Sequence, residues 1–209
     1  MVVFDRLVIA SSNEGKLKEF SALFSPFAVR VERLPQGFAM PEETGATFAE
    51  NALQKARFIN DRTGLPALAD DSGLCVDALN GAPGGFSARF AGPDATDADN
   101  RALLLERLAG VSQAMRGAEF VAALALVTSD GRAHAVEGRV RGEILLLERG
   151  TGGFGYDSIF YYPPLARTFA ELAPEEKNRV SHRARATQAL AKRLISAGPS
   201  FERFMDAAD

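Results

Sequence analysis

One segment limits what this 209-residue chain can fold into more than any other: Leu65-Pro66-Ala67-Leu68-Ala69-Asp70-Asp71-Ser72-Gly73. Its apolar part follows Gly64, a helix-ending residue, and reads as a short buried strand. The Ser72-Gly73 pair after the acids reads as a turn. Adjacent carboxylates at the end of a core strand are costly to desolvate unless a cation is held beside them. A divalent metal with a phosphate substrate is the usual occupant of such a place. Strand neighbours point to opposite faces, so Asp70 and Asp71 diverge unless the turn bends them together.

Helices flank strands in the first half of the chain. Arg6 to Ala10 reads as a buried strand, and Leu17, Phe20, Leu23 and Phe24 then recur at helical spacing. A second helix opens at Thr47, with Glu50 at capping-box spacing, and ends near Gly64. The loop Gly81-Ala82-Pro83-Gly84-Gly85 precedes a third helix, which starts near Thr96 and carries Leu103, Leu104 and Leu108. From Phe120 strands follow strands. Phe120 to Val127, the turn Ser129-Asp130-Gly131 and Ala133 to Val140 predict a hairpin, and Glu143–Glu148 and Ser158–Tyr162 predict two further strands. A last helix runs from about Ser181 with Ala186, Leu190 and Leu194 on one face. This order predicts an α/β protein built on a mixed sheet.

Composition removes several function classes. A net charge of −3 argues against a nucleic-acid polymer as partner. Cys75 is the only cysteine, which excludes an intrachain disulfide and a zinc site of several thiolates. The longest apolar run, Phe120 to Val127, is too short to span a bilayer, so no membrane association is expected. Met1-Val2-Val3-Phe4-Asp5-Arg6 shows neither a basic n-region nor a long apolar h-region, and a cytoplasmic setting is the expectation.

Four segments carry chemistry. Ser11-Ser12-Asn13-Glu14-Gly15-Lys16 joins a strand to a helix, where free amides, a glycine and a lysine suit a phosphate. It is not a Walker A loop, because one glycine is missing and Leu17 replaces the magnesium-holding Ser or Thr. The plain alternative is an ordinary strand-to-helix turn. Glu42-Glu43-Thr44-Gly45 precedes the Thr47 helix and either complements its dipole or joins Asp70 and Asp71 as magnesium ligands. Gly150-Thr151-Gly152-Gly153-Phe154-Gly155 matches the dinucleotide fingerprint formally, but it leads into the strand-like Tyr156–Tyr162 and not into a helix. It is either a flexible turn or a loop whose Phe154 or Tyr156 stacks on a base. Glu175 to Arg183 is either a solvated helix face or, with Ser181 as N-cap, a place where His182 and Arg183 meet an anion or base acceptor. A serine-hydrolase reading of Ser72 lacks its elbow motif, and His134 and His182 are the only histidines.

Taken together, these segments resemble the inosine triphosphate pyrophosphatase family of house-cleaning enzymes. The matching blocks are Ser11 to Lys16 with Glu19, Glu42 to Gly45 with Phe48, Glu50 and Asn51, Ala69 to Ala91, Thr151 to Asp157, and Glu176-Lys177 with Ser181-His182-Arg183. The resemblance implies one domain over 1–209, an elongated mixed sheet flanked by helices, two lobes with the active site in the cleft between them, and a homodimer. It implies magnesium-dependent hydrolysis of ITP, dITP and XTP to the monophosphate and pyrophosphate, which keeps these purines out of DNA and RNA. By position, Ser11, Ser12, Asn13, Glu14, Gly15 and Lys16 hold the triphosphate, and Glu42 or Glu43 with Asp71 the metal. Asp71 is also the proton acceptor, and Ser72 touches substrate; the residues themselves add Lys16 as a further positive charge and Asp70 as a supporting or water-orienting acid to the catalytic set. Phe154, Gly155, Tyr156, Asp157, Lys177, His182 and Arg183 surround base and sugar. Two departures are visible: Ser12 stands where many members have glycine, and Ser158 where proline usually follows the aspartate. The rival from another class is a non-catalytic nucleotide-binding regulator, which magnesium-dependent turnover excludes.

Overall fold

The computed structural model describes residues 4–27, 29–34 and 38–196, with residues 195 and 196 described by backbone alone. Met1 to Val3, part of the segment read for a leader, lie outside them. Among the described residues the strands are β1 (Arg6–Ile9), β2 (Arg30–Glu32), β3 (Ala67–Val76), β4 (Gly117–Val127), β5 (Ala133–Ile144), β6 (Phe160–Tyr162) and β7 (Arg167–Thr168). They form one sheet in the order β2-β1-β3-β4-β5-β6-β7. β1 runs parallel to β2 and β3, whereas β6 is antiparallel to β5 and β7, so the sheet is mixed. The α-helices are α1 (Glu14–Phe24), α2 (Phe48–Thr63), α3 (Asp97–Arg107), α4 (Pro174–Val180) and α5 (His182–Ser196). Among the described residues no helix is long and apolar enough to cross a membrane.

The chain packs as two units. The first holds the described residues of Met1–Asp71, Ala122–Gly138 and Arg183–Asp209, the second Ser72–Val121 and Arg139–His182. In the first unit, local signals set the helix ends. Asn13 accepts from the Lys16 amide to start α1. Thr47 and Glu50 form the expected reciprocal cap of α2, and Gly64 closes it at φ 68°. Alternation along the strands then sorts the core into two layers. Leu7, Ile9, Leu68, Leu124 and Leu126 pack with Phe20 and Phe24 of α1 and Ala186, Leu190 and Leu194 of α5. Val8, Ala67, Ala69, Ala123 and Ala125 pack with Ala52, Ala56 and Ile59 of α2. The small side chains on this second face admit α2 closely to the sheet. Each large apolar side chain so buried contributes roughly 1.5–3 kcal/mol.

In the second unit Leu74, Val76, Leu104, Leu108, Phe120, Val140, Tyr156, Ile159, Phe160 and Phe169 share one core. Several expectations change here. Ser72-Gly73 is not a turn: β3 runs straight through it for ten residues. Gly73 is there for space, since an added Cβ would lie 2.2 Å from the Gly84 carbonyl oxygen and 2.7 Å from Ser87 Oγ. The predicted strand Glu143–Glu148 contributes only its first two residues, as the end of β5; Leu146 and Leu147 lie exposed in the loop beyond. The strand read over Tyr156–Tyr162 is confined to Phe160–Tyr162, because Tyr156 to Ile159 form a turn. Pro174 opens α4, and Glu176 caps it by accepting from the Ala173 amide. Ser181 ends α4 just ahead of α5.

Gly73→Ala is therefore expected to destabilise the protein by roughly 1–3 kcal/mol through overpacking. Thermal unfolding would read a drop of several degrees, at about 2–4 °C per kcal/mol. An unchanged Tm would mean that the Gly84–Arg89 segment yields.

Candidate active site

The alternation that builds the core also separates the two acids. Asp70 follows Leu68 on the face covered by α1 and α5, and Asp71 follows Ala69 on the face covered by α2. No turn bends them together. On the first face, Lys16 Nζ lies 2.5 Å from Asp70 Oδ2, with both groups largely out of solvent. Arg183, at the start of α5, places Nη1 2.9 Å from Glu19 Oε2 and Nη2 3.5 Å from Asp70 Oδ2. Burial pulls the Lys16 ammonium below its ordinary range, Asp70 opposes the shift, and Arg183 and Lys55 add to it. Ser11 Oγ accepts from the Asn13 amide, and Asn13 Oδ1 from that of Lys16, so the loop's side chains shape the helix entry. Glu14 is exposed and spends its carboxylate on Arg33 at 2.5 and 2.8 Å. Ser12 is exposed and Gly15 half-buried.

On the second face, Lys55 Nζ meets Asp71 Oδ1 at 3.0 Å and Glu43 Oε1 at 2.8 Å. Asn51 Nδ2 donates to the other Asp71 oxygen at 3.2 Å, while Asn51 Oδ1 accepts from the Gly45 amide at 2.7 Å. Burial raises the Asp71 carboxyl above the ordinary aspartate range; Lys55 opposes this and Glu43 reinforces it. Lys55 itself would be lowered by burial, but Asp71 and Glu43 outweigh that and hold it raised. A carboxyl raised by burial is a stronger proton acceptor than an ordinary aspartate. Of the two candidate metal acids, Glu43 is the one whose carboxylate converges with Asp71. Glu42 is exposed, and its main-chain oxygen accepts from Gln54 at 2.8 Å.

In the second unit, the glycine-rich segment forms a braced turn. Asp157 Oδ2 accepts from the Phe154 amide at 2.9 Å and pairs with Lys177 Nζ at 2.5 Å, both charges being buried. Gly153, at φ 72°, leaves room for that carboxylate, whose oxygen an added Cβ would meet at 2.0 Å. Lys177 Nζ also lies 4.9 Å from the centroid of the half-buried Phe154 ring. Tyr156 is not a stacking platform. Its ring lies in the core, its hydroxyl donates to the Ser87 carbonyl at 2.8 Å, and burial pushes its phenol well above the usual range. His182 stacks on Phe120 at 4.7 Å with the rings 11° from parallel. Ser72 is half-buried on β3.

The structure thus regroups one residue and adds others. Arg183, placed with base and sugar by the resemblance, sits on Asp70 and Glu19 beside Lys16. Consecutive residues on a helix diverge by about 100°, so His182 and Arg183 need not serve one partner. Lys55 is the residue that reading the motifs missed. Its signal lay in the pattern: Asn51 and Lys55, one helical turn apart, are polar groups on the helix face that also carries Ala52, Ala56 and Ile59.

The chain is similar to known proteins over most of its length. The model of the Ham1 family matches residues 7–193. A dITP/XTP pyrophosphatase of Haemophilus influenzae is 47% identical over 192 residues, covering 90% of this chain and 98% of that protein. One from Bordetella pertussis is 52% identical over 202 residues, 93% of each chain. The solved Ham1 protein of Staphylococcus aureus matches with a TM-score of 0.80 at 39% identity, covering 92% of this chain and 100% of that one. With the family model matching nearly its whole length, the chain belongs to the Ham1 family.

Proposed function

We propose that this protein hydrolyses dITP, ITP and XTP to the nucleoside monophosphate and pyrophosphate, clearing these purines from the nucleotide pool before a polymerase can use them. The relatives named dITP/XTP pyrophosphatase support the substrate class. The observation that carries the chemistry is the pair of consecutive acids on β3, each facing its own buried lysine: Asp70 with Lys16 and Asp71 with Lys55. On this reading Asp70 supports the phosphate-binding loop through Lys16, and Asp71 is the proton acceptor.

Glu43 and Asp71 already converge on one cationic position, the Lys55 ammonium, at 2.8 and 3.0 Å. Hard oxygen donors of this kind suit magnesium, which takes one or two carboxylates and completes its shell with waters and phosphate oxygens. Among the described residues no group of three or more His, Cys, Asp or Glu converges, consistent with a metal that draws further ligands from substrate and water. When bound, magnesium supplies charge neutralisation at the phosphates. Asp71 accepts the proton of the attacking water, with Asn51 holding its second oxygen. Lys16 and Arg183 add positive charge for the triphosphate, and Asp70 keeps both in place. Phosphoryl-type transfer relies mostly on such positioning and electrostatics, so no covalent intermediate is needed. Phe154, braced by Asp157 and Lys177, serves the base. The reading includes a single two-lobed domain and a homodimer, which follow the family resemblance, and a cytoplasmic setting, which follows the residues of the first segment, Met1 to Arg6.

Selectivity rests on the 6-oxo group, an acceptor in hypoxanthine and xanthine that adenine replaces with an amino donor. Donors aimed at that position go unpaired with adenine, so kcat/KM for dATP is expected to fall about 10⁴-fold below that for dITP or XTP. Steady-state rates on the three nucleotides test this; equal values would remove 6-oxo recognition from the account.

A further inference from the structure

Both main-chain polar groups of Gly155 are gripped by one helix. Its N–H donates to Asp97 Oδ2 at 2.6 Å, and its carbonyl accepts from Arg101 Nη1 at 2.8 Å. Asp97 and Arg101 stand four residues apart in α3 and so present to the same side. The grip is anchored further back. Glu148 Oε2 pairs with Arg101 Nε at 3.0 Å and accepts from Ser158 Oγ at 2.7 Å. Against the cost of burial, Ser158 and Arg101 together hold the Glu148 carboxyl below its ordinary range. Every one of these residues belongs to the second unit. Gly155 itself needs holding, because at φ 62° a glycine is otherwise free to leave this conformation. Its neighbours leave little other slack: Phe154 is tied through its amide to Asp157, and Tyr156 through its hydroxyl to Ser87.

We propose that Asp97 and Arg101 are positioning residues for base recognition, acting as a latch that fixes the Gly155 peptide and with it the Phe154 ring. Neither side chain is required to touch substrate. The latch rests on the assignment of this turn to the purine under the proposed function. Ser158 is part of it in this chain: a proline there, as the family pattern has, would carry no hydroxyl for Glu148.

The test is product inhibition in Asp97→Ala and Arg101→Met, with Asp97→Asn retaining the acceptor as the conservative control. The two products divide the substrate, since dIMP carries the base and pyrophosphate does not. In both disruptive variants KM for dITP and Ki for dIMP are expected to rise roughly tenfold, as for loss of a charge-assisted hydrogen bond, with kcat and Ki for pyrophosphate within a factor of about two. Asp97→Asn recovers most of the loss. Unchanged dIMP inhibition in variants that keep the wild-type circular dichroism and Tm would overturn the latch, and so would equal weakening of both products. Should either disruptive variant fail to fold, Ser158→Ala loosens Glu148 without altering α3 and carries the same test: a raised Ki for dIMP supports the latch and an unchanged one overturns it. Wild-type turnover of dITP is measured first. Its absence would sink the proposed function itself, whereas turnover with indifferent variants sinks only the latch.

Discussion

Asp71→Asn lowers kcat by about 10²–10⁴ while nucleotide affinity stays within a few-fold, the pattern for removal of a general base. The substitution is nearly isosteric. A carboxamide oxygen can still accept from Lys55 or from Asn51 but not from both, since the amide nitrogen replaces the second oxygen, and Lys55 keeps Glu43 as a partner either way. What disappears is the ability to take a proton and one of the two carboxylates, the other being Glu43, that converge on Lys55. The pH profile separates these roles from simple disturbance. Burial favours the neutral form and raises the Asp71 carboxyl, while Lys55 pulls the other way. Its protonated form can neither accept a proton nor hold a metal, so wild-type kcat/KM falls as pH drops through that raised range. In Asp71→Asn this acid limb is lost. With magnesium held at Asp71 as proposed, metal and protons would compete for the same oxygen, and the limb in the wild type is expected to move to higher pH as magnesium is lowered. Near-normal turnover by the variant would take Asp71 out of the role of base.

Lys16→Ala is the second large effect, and it mixes two losses. The ammonium is the near partner of Asp70, whose side chain has no solvent exposure, so its removal leaves a buried carboxylate with Arg183 at 3.5 Å. Breaking a buried pair in this way costs about 3–5 kcal/mol when no partner remains, and less here because Arg183 does. The activity loss has a separate origin, the missing positive charge at the start of α1. Lys16→Ala/Asp70→Asn distinguishes them, because it removes the stranded charge without restoring the cation. We expect the double variant to recover thermal stability while KM for dITP stays raised about tenfold or more, the cost of a charge-assisted contact. Recovery of KM in the double variant would mean that Lys16 serves Asp70 alone. Full stability in the single variant would mean that Arg183 suffices for Asp70.

Much of this arrangement was legible in the residues because it is local. The Thr47–Glu50 cap and the Gly64 stop depend only on groups within a few positions of one another, and each stands where its signal lies. The alternation of Leu7 and Ile9 against Val8 likewise sorts the core without knowledge of the partners. Ser72-Gly73 was misleading for a physical reason. A glycine serves either a positive φ or a close approach, and only the packed Gly84 and Ser87 reveal that Gly73 serves the second. The pairing of Asp71 with Lys55 was hidden because it joins residues 16 positions apart, and a lysine on a helix ordinarily reads as solvated. Tyr156 failed as a stacking residue because its burial depends on a core assembled from β4, β5, β6 and α3. The pairing of Arg183 with Glu19 and Asp70 was not legible, because it joins residues far apart in the chain and sequence adjacency to His182 says nothing about direction around a helix axis.

The claim beneath all of this is that the bond broken lies between the α and β phosphates of a 6-oxo purine nucleotide. Wild-type protein with dITP and magnesium in ¹⁸O-labelled water, its products resolved by mass spectrometry, addresses it directly. The account predicts dIMP and pyrophosphate as the only products, formed in equal amounts, with turnover abolished by a chelator. Release of dIDP and inorganic phosphate, or no hydrolysis of dITP, would contradict it.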